Sequence, residues 1–543
     1  MVDKPNRRSF LKGAGAAVAG LTLPTATVSA KSREDRFIID LQNVSEGALD
    51  GLTVVHDLSQ IDIAVVEGEK DAVEGLRHSK DVEMEFQVDR EHRDDDDDDH
   101  DWGGDNHHHK DWTIPSRYEY QWDKQAQDLL GVYQKTTGEG TRVSVIDSGA
   151  MRGHPDLTNA LNTDLSKNFT GDGGDFTPWY NDHGTHVSGI IAADGSNEKG
   201  ILGSAPNTDL VELRVFTGPF AFFGDIIAAM TYSGDIESDV ANMSLGVYPL
   251  PNDADTATLR DSIERATDYA AEKGTLMVAA AGNDGVNLDT DGDVISLPNE
   301  ADNVMSVSAT GPIGYRWDDE KSNDDNSDED SDDEDGWHEY GDDDGHRGRG
   351  DEDGWHGHGD RDGYDRYRFP FDDPIYDLQK PTTTPATYTN YGEEAVDVSA
   401  AGGNIPQDAP EDAKTQYDMV LSTIFEWADD GSMKPSYGWK AGTSMAAPQV
   451  TAAAALVKSV NPDASPKQIR EHLEATADDL HQPSYSGEGH LDLAAAVFWP
   501  IWGGDHDWGD DDDDGHGHHD DDERDDDHGW DGGHDDEKHG DED

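Results

Sequence analysis

Four residues set far apart in the chain are of the types that acyl transfer requires. Asp147 closes the run Val143-Ser144-Val145-Ile146 and is followed by Ser148-Gly149. His183 and His186 stand three apart in Asp182-His183-Gly184-Thr185-His186. Asn283 follows Ala279-Ala280-Ala281-Gly282, and Ser444 lies in Gly442-Thr443-Ser444-Met445-Ala446-Ala447-Pro448. A serine hydroxyl is a poor nucleophile until a base takes its proton. Imidazole is the usual base, a carboxylate fixes its tautomer, and a neutral carboxamide can hold an oxyanion without titrating. Each residue also has an ordinary structural reading. An Asp closes strands, an Asn serves turns, and a Ser caps helices. Two histidines three apart on a helix could ligate a metal, but the Glu of a His-Glu-x-x-His site is absent and no third ligand is evident.

The elements around these residues suggest how they would be positioned. Strand patterns cover Arg142–Asp147, Leu210–Phe216, Val240–Leu245, Thr275–Ala281, Val304–Ser308 and Ala395–Ser399. Helical patterns cover His183–Ala193, Asp225–Tyr232, Thr256–Lys273, Ser444–Val460 and Pro466–Asp478. The last opens with a capping box, Ser465 as cap, Pro466 next and Gln468 three after the cap. Buried strands alternating with helices predict an α/β domain whose mostly parallel central sheet is covered on both faces, with its site at the C-terminal strand ends.

In this order and setting, Asp147, His183, Asn283 and Ser444 resemble the motifs of the subtilisin-like serine proteases (the subtilases, peptidase S8). The likeness runs over about 310 residues between Trp112 and Val497. It takes in His154-Pro155-Asp156-Leu157, Asn242-Met243-Ser244-Leu245-Gly246 and Ser486-Gly487-Glu488-Gly489. The resemblance implies a three-layer subtilisin-like fold and hydrolysis of polypeptide substrates without a catalytic cofactor. It makes Ser444 the nucleophile, His183 the base, Asp147 its orienting carboxylate and Asn283 the oxyanion donor, with His186 structural. Ser244, Leu245 and Gly246 would lie along the substrate, and Ala280, Ala281 and Gly282 would wall the pocket before the cut. Val247 departs from the family, where a second Gly is common. Asp156 falls where relatives often place a ligand to structural calcium, with the loop Asp194–Lys199 beside it. A monomer is expected.

The remainder of the chain divides by composition. Residues 1–30 carry Arg7-Arg8-Ser9-Phe10-Leu11-Lys12, a small apolar run and Val28-Ser29-Ala30, and resemble a twin-arginine export signal, so a secreted protein is expected. Residues 31–90 show strand-like Phe37–Ile39, Ile61–Val66 and Val82–Val88, with Ala72–His78 as a candidate helix. This small α+β unit resembles the family's propeptide, an intramolecular inhibitor and folding chaperone removed by self-cleavage somewhere between Val88 and Trp112. An acidic, His-rich linker spans 91–111, and the catalytic domain spans 112–499. Within it, 22 of the 56 residues 315–370 are acidic, too many for a packed core, so that insertion and the tail 500–543 are expected to be disordered.

The whole chain of 543 residues holds 119 acidic and 40 basic side chains, a formal charge of −79. That balance argues against nucleic acid and against anionic lipid as partners. Past residue 30 no apolar run is long enough to span a bilayer, so no membrane partner is expected for the mature form. The absence of cysteine excludes disulfides and thiolate chemistry. Carboxylate repulsion of this size is silenced when the screening length drops from about 8 Å to about 3 Å, which predicts adaptation to concentrated salt. The rival reading is a catalytically silent binding protein whose acidic tail captures cations.

Overall fold

The computed structural model describes residues 31–45, 47–85, 90–93, 108–109, 112–195, 197, 199–317, 378–410 and 412–501. The export signal, the bulk of the insertion and the tail lie outside the described residues.

The N-terminal module consists of four antiparallel strands, β1 (Lys31–Asp40), β2 (Thr53–Leu58), β3 (Ile63–Glu67) and β4 (His78–Glu85). Ile38, Ile63 and Val65 point to one face, and Phe37, Ile39, Ala64 and Val66 to the other, the alternation a two-sided sheet demands. The helix expected over Ala72–His78 does not form. A single 3-10 turn spans Lys70–Ala72, Gly75 takes a left-handed φ of +89°, and His78 already opens β4. The strand expected from Ile61 starts at Ile63, because Asp62 is left-handed.

Beyond the module, β5 (Arg90–Arg93) is followed by the short antiparallel pair β6 (His108–His109) and β7 (Trp112–Thr113), then by α1 (Trp122–Ala126) and α2 (Leu129–Val132). The central sheet is built from β8 (Arg142–Asp147), β9 (Lys167–Asn168), β10 (Asp209–Arg214), β13 (Val240–Met243), β15 (Leu276–Ala280), β17 (Val304–Thr310) and β18 (Val398–Ala401). Its order is β18-β17-β15-β13-β8-β10-β9, and every pairing is parallel.

Helices α3 (His183–Ala192) and α6 (Thr443–Val460) cover one face, with Leu276, Val278 and Ala280 turned toward them. Helices α4 (Phe223–Asp235) and α5 (Ala257–Lys273) cover the other, over Met277 and Ala279. The Ala-rich stretch Ala452–Ala455 lets α6 run buried from Thr443 to Val457 against the sheet centre. The outer faces of α4 and α5 receive Ile38, Ile63, Val65 and Met84, so the helical layer of the N-terminal module is supplied by the larger domain. The border is crossed by hydrogen bonds as well. A hairpin of β11 (Phe216–Thr217) and β12 (Phe220–Phe222) adds to the edge of β4, with Phe220 opposite Glu85.

Two antiparallel ladders have no clear pattern in the sequence. β14 (Val247–Pro251) pairs with β16 (Val294–Leu297), and β19 (Val420–Trp427) pairs with β20 (Met433–Ala441), whose other edge carries β5. Near the C-terminus α7 (Pro466–Thr476) has the expected capping box, followed by α8 (Pro483–Ser486) and α9 (Leu493–Phe498). The insertion begins later than residue 315. Tyr315 and Trp317 are buried, and Asp418 accepts the backbone N–H groups of Gly314 and Tyr315 and the Trp317 indole N–H. Ile313 and Lys380 exchange backbone hydrogen bonds of 3.2 and 3.1 Å across its base.

Candidate active site

Asp147 is the last residue of β8 and is fully buried. Its Oδ1 accepts the Ser148 N–H at 2.6 Å. Gly149 follows with φ +88°, and a Cβ there would fall 1.9 Å from the Phe176 carbonyl, so only glycine lets the chain turn beside the carboxylate. His183 opens α3, and its Nδ1 lies 2.8 and 3.0 Å from the two Asp147 oxygens. A ring nitrogen facing a carboxylate carries the proton, so the neutral imidazole keeps Nε2 as its basic atom.

Ser444 lies in the first turn of α6 and is 8% exposed. Its Oγ makes a long hydrogen bond of 3.4 Å to the Ser244 carbonyl. Pro448 lacks the N–H that would have bonded the Ser444 carbonyl four residues back. Ser244 Oγ donates to that carbonyl at 2.7 Å, and is itself held by Asn242 Nδ2 at 3.0 Å. Since α3 packs against α6 in one core, His183 and Ser444 stand at the N-termini of two packed helices.

Asn283 follows β15 with its carboxamide orientation determined. Its Oδ1 accepts both the backbone N–H (2.9 Å) and the hydroxyl (3.0 Å) of Thr443, so Nδ2 is the donor end. The same hydroxyl accepts the Gly282 N–H at 3.1 Å. A Cβ on Gly282 (φ +101°) would fall 2.4 Å from Asn390 Nδ2. Ser244, Leu245 and Gly246 leave the C-terminal end of β13, and Ala280, Ala281 and Gly282 leave that of neighbouring β15. Both segments therefore flank Asn283 and Ser444. Val247 is buried and pairs with Leu297 at the start of β14.

His186 faces away from this chemistry. Its Nε2 lies 3.1 Å from the carbonyls of both Val420 and Gly438, and burial pushes its pKa well below the ordinary value. The paired-histidine metal reading is thereby set aside, and among the described residues no group of three or more His, Asp or Glu could hold a metal ion. Asp156 is fully buried, accepts the Ile201 N–H at 3.0 Å, and meets Asn197 Nδ2 at 2.5 Å. Desolvation pushes its pKa up to about 6.

Two charged neighbours had no signal in the sequence. Lys440 of β20 reaches Asp182 Oδ1 at 3.1 Å, both side chains nearly inaccessible, beside the start of α3. Glu212 of β10 is buried next to the Asp147 strand. Each is a long-range contact between segments unrelated in sequence.

The model of the "Subtilase family" matches residues 138–496, and that of the twin-arginine translocation signal matches residues 4–24. The chain is 35% identical over 203 residues to a thermophilic serine proteinase of Bacillus sp. (strain AK1), covering 36% of this chain and 46% of the relative. It is 29% identical over 368 residues to subtilisin BL of Lederbergia lenta, covering 66% and 92%. The chain thus spans about half of the first relative and most of the second. The epidermin leader peptide processing serine protease of Staphylococcus aureus superposes with a TM-score of 0.58 at 21% identity, over 86% of this chain and 98% of that one, a likeness of fold.

Proposed function

The chain belongs to the subtilase family, and from that premise we propose that it is an exported, self-processing serine endopeptidase suited to concentrated salt. The observation that carries the reading is the Asp147–His183 pair at 2.8 Å, set one helix away from a serine at the head of α6. Ser444 gives its proton to His183 Nε2 as its Oγ attacks the scissile carbonyl. The oxyanion that forms is bound by Asn283 Nδ2 and the Ser444 backbone N–H, aided by the helix N-terminus. His183 then protonates the leaving amine, and water, activated by the same imidazole, hydrolyses the acyl-enzyme. Asp147 holds the Nδ1–H tautomer and stabilises the imidazolium.

The N-terminal module is proposed to be the inhibitory propeptide. β4 ends at Glu85, paired to β12, and β5 begins at Arg90, paired to Ala441 three residues before Ser444. On this reading the self-processing bond lies beyond β4, in the stretch between Val88 and Trp112 expected from the sequence. At Asp156, calcium would be held by the buried carboxylate, by Asn197 once its amide is turned, and by loop carbonyls, the oxygen donors this ion prefers. Bound there, it would supply charge that stabilises the surrounding loop. The twin-arginine signal accounts for export, and the charge of −79 supports the salt reading.

A fluorophosphonate probe tests the activity. The wild-type chain should be labelled, and Ser444→Ala should be unlabelled and should retain its N-terminal module. Labelling of both or of neither counts against the Ser444 reading, and N-terminal sequencing of the processed form reads the cleavage position directly.

A further inference from the structure

β10 holds a carboxyl group that the proposed chemistry does not use. Glu212 is fully buried on the strand next to β8, in a register that sets Glu212 against Val145 and Arg214 against Asp147. Its Oε1 is in hydrogen-bond contact with Ser188 Oγ, one turn along α3 from Gly184. Ser188 Oγ also lies 2.6 Å from the Gly184 carbonyl oxygen.

A hydroxyl has one proton to give. If Ser188 gives it to Glu212, two oxygens 2.6 Å apart at Gly184 are left with none between them. If Ser188 gives it to Gly184, the contact with Glu212 requires a proton from the glutamic acid itself. Only the second arrangement satisfies both contacts. The other oxygen, Oε2, is buried with no hydrogen-bond partner, tolerable for the carbonyl of an acid and costly for a carboxylate.

The surroundings agree. Desolvation, with the Asp147 charge in support, pushes the Glu212 carboxyl well above the ordinary range. The charged group that acts on it is Asp147 at the end of β8, and Arg214 stands two residues along its own strand. The Arg214 guanidinium is committed to Asp172, the Asp175 carbonyl and the Phe216 carbonyl.

We propose that Glu212 is a neutral carboxylic acid that donates its proton to Ser188, pinning the first turns of α3 and so positioning His183, without adding a second negative charge beside Asp147. It is a positioning residue, and the proposal rests on the triad reading given above.

The test uses the full chain. In the Ser444→Ala background at neutral pH, the infrared difference between parent and Glu212→Gln should contain the C=O band of one protonated carboxyl. A difference lacking it overturns the proposal, whatever the activity. In the active chain, Glu212→Gln keeps a neutral donor to Ser188, so the acidic limb of the kcat/KM profile should stay in place and kcat should change by less than about threefold. A downward displacement of that limb means that Glu212 is charged in the wild type, and overturns the proposal. Glu212→Leu removes the donor, and kcat should fall at least about tenfold with little change in KM, as expected for a misplaced base. Wild-type kcat in Glu212→Leu ends the positioning role, and should Leu fail to fold, the two Gln measurements decide. Failure of the triad is separate, because it appears as label or activity surviving Ser444→Ala, while the infrared band still reports the proton on Glu212.

Discussion

Replacing Arg36 by Met should loosen the N-terminal module by several kcal/mol, and by more at alkaline than at acid pH. Arg36 is 3% exposed, and its Nε lies 2.6 Å from Asp81 Oδ2. Its terminal nitrogen pairs with Asp225 of α4, and the guanidinium sits 4.7 Å from the Phe222 ring centroid. Asp81 also accepts the Gly224 N–H at 2.8 Å at the head of α4, and His56 reaches Asp225 at 2.7 Å. Without the arginine, two buried carboxylates face each other at the border between the module and α4. Breaking a buried pair from one side typically costs about 3–5 kcal/mol, equivalent to roughly two-hundredfold to several-thousandfold in the opening equilibrium.

The pH dependence has a definite sign. Burial raises Asp81 from 3.8 to about 6, with Arg36 the main opposing influence. A carboxyl raised in the docked state favours docking most below its ordinary pKa and loses that contribution as pH climbs through about 6. Removing Arg36 pushes Asp81 higher still, so at pH 5 protonation offsets much of the damage, whereas at pH 8 it does not. The measurement is amide hydrogen exchange of β1 and β4 in the Ser444→Ala chain, in which the proposed self-cleavage is blocked. Protection reduced less than about tenfold at pH 8, or reduced more at pH 5 than at pH 8, would refute the reasoning.

Asn283→Ala should lower kcat about 10²–10³-fold with KM little altered, since the lost donor acts on the transition state; a loss confined to KM would assign the carboxamide to ground-state binding. Transfer from molar salt to dilute buffer should lower the melting temperature and inactivate the enzyme as the −79 charge loses its screening; unchanged melting over that range removes the salt argument. Chelation of calcium should lower the melting temperature of the wild type and leave Asp156→Asn unaffected, and equal shifts in the two would place any calcium elsewhere.

The parallel sheet was legible because its strands are short apolar runs separated by helices of clear period. The first residues of α3 and α6 were legible because His183 and Ser444 sit in dense local motifs. What could not be read is what depends on distant partners. The candidate helix Ala72–His78 has enough apolar residues for a turn of helix, but Gly75 breaks it, and Val73 and Leu76 pack from irregular backbone onto the sheet face opposite α4 and α5. The β19–β20 ladder was hidden because Met433–Ala441 mixes Lys, Pro, Ser and Gly, its pairing set by the partner strand rather than by its own alternation. Lys440 and Glu212 look like surface charges in sequence, and only the fold brings Lys440 to Asp182 at the head of α3 and Glu212 to Ser188 within it. The insertion boundary was misplaced by a few residues because Tyr315, Arg316 and Trp317 precede the acidic run without a break, and the contact that anchors them, Asp418, lies about a hundred positions downstream.

That anchor has a bearing on how the chain tolerates its own interruption. With Ile313 and Lys380 bonded to each other and Asp418 holding the turn at Gly314 and Tyr315, the polypeptide leaves and rejoins the domain through a single doorway. Closing a loop of that length rather than a four-residue turn costs only about 2–3 kcal/mol of chain entropy. Doubling or halving it changes the balance by about 0.6 kcal/mol. The doorway therefore uncouples the length of the chain between Ile313 and Lys380 from the packing of the central sheet behind it.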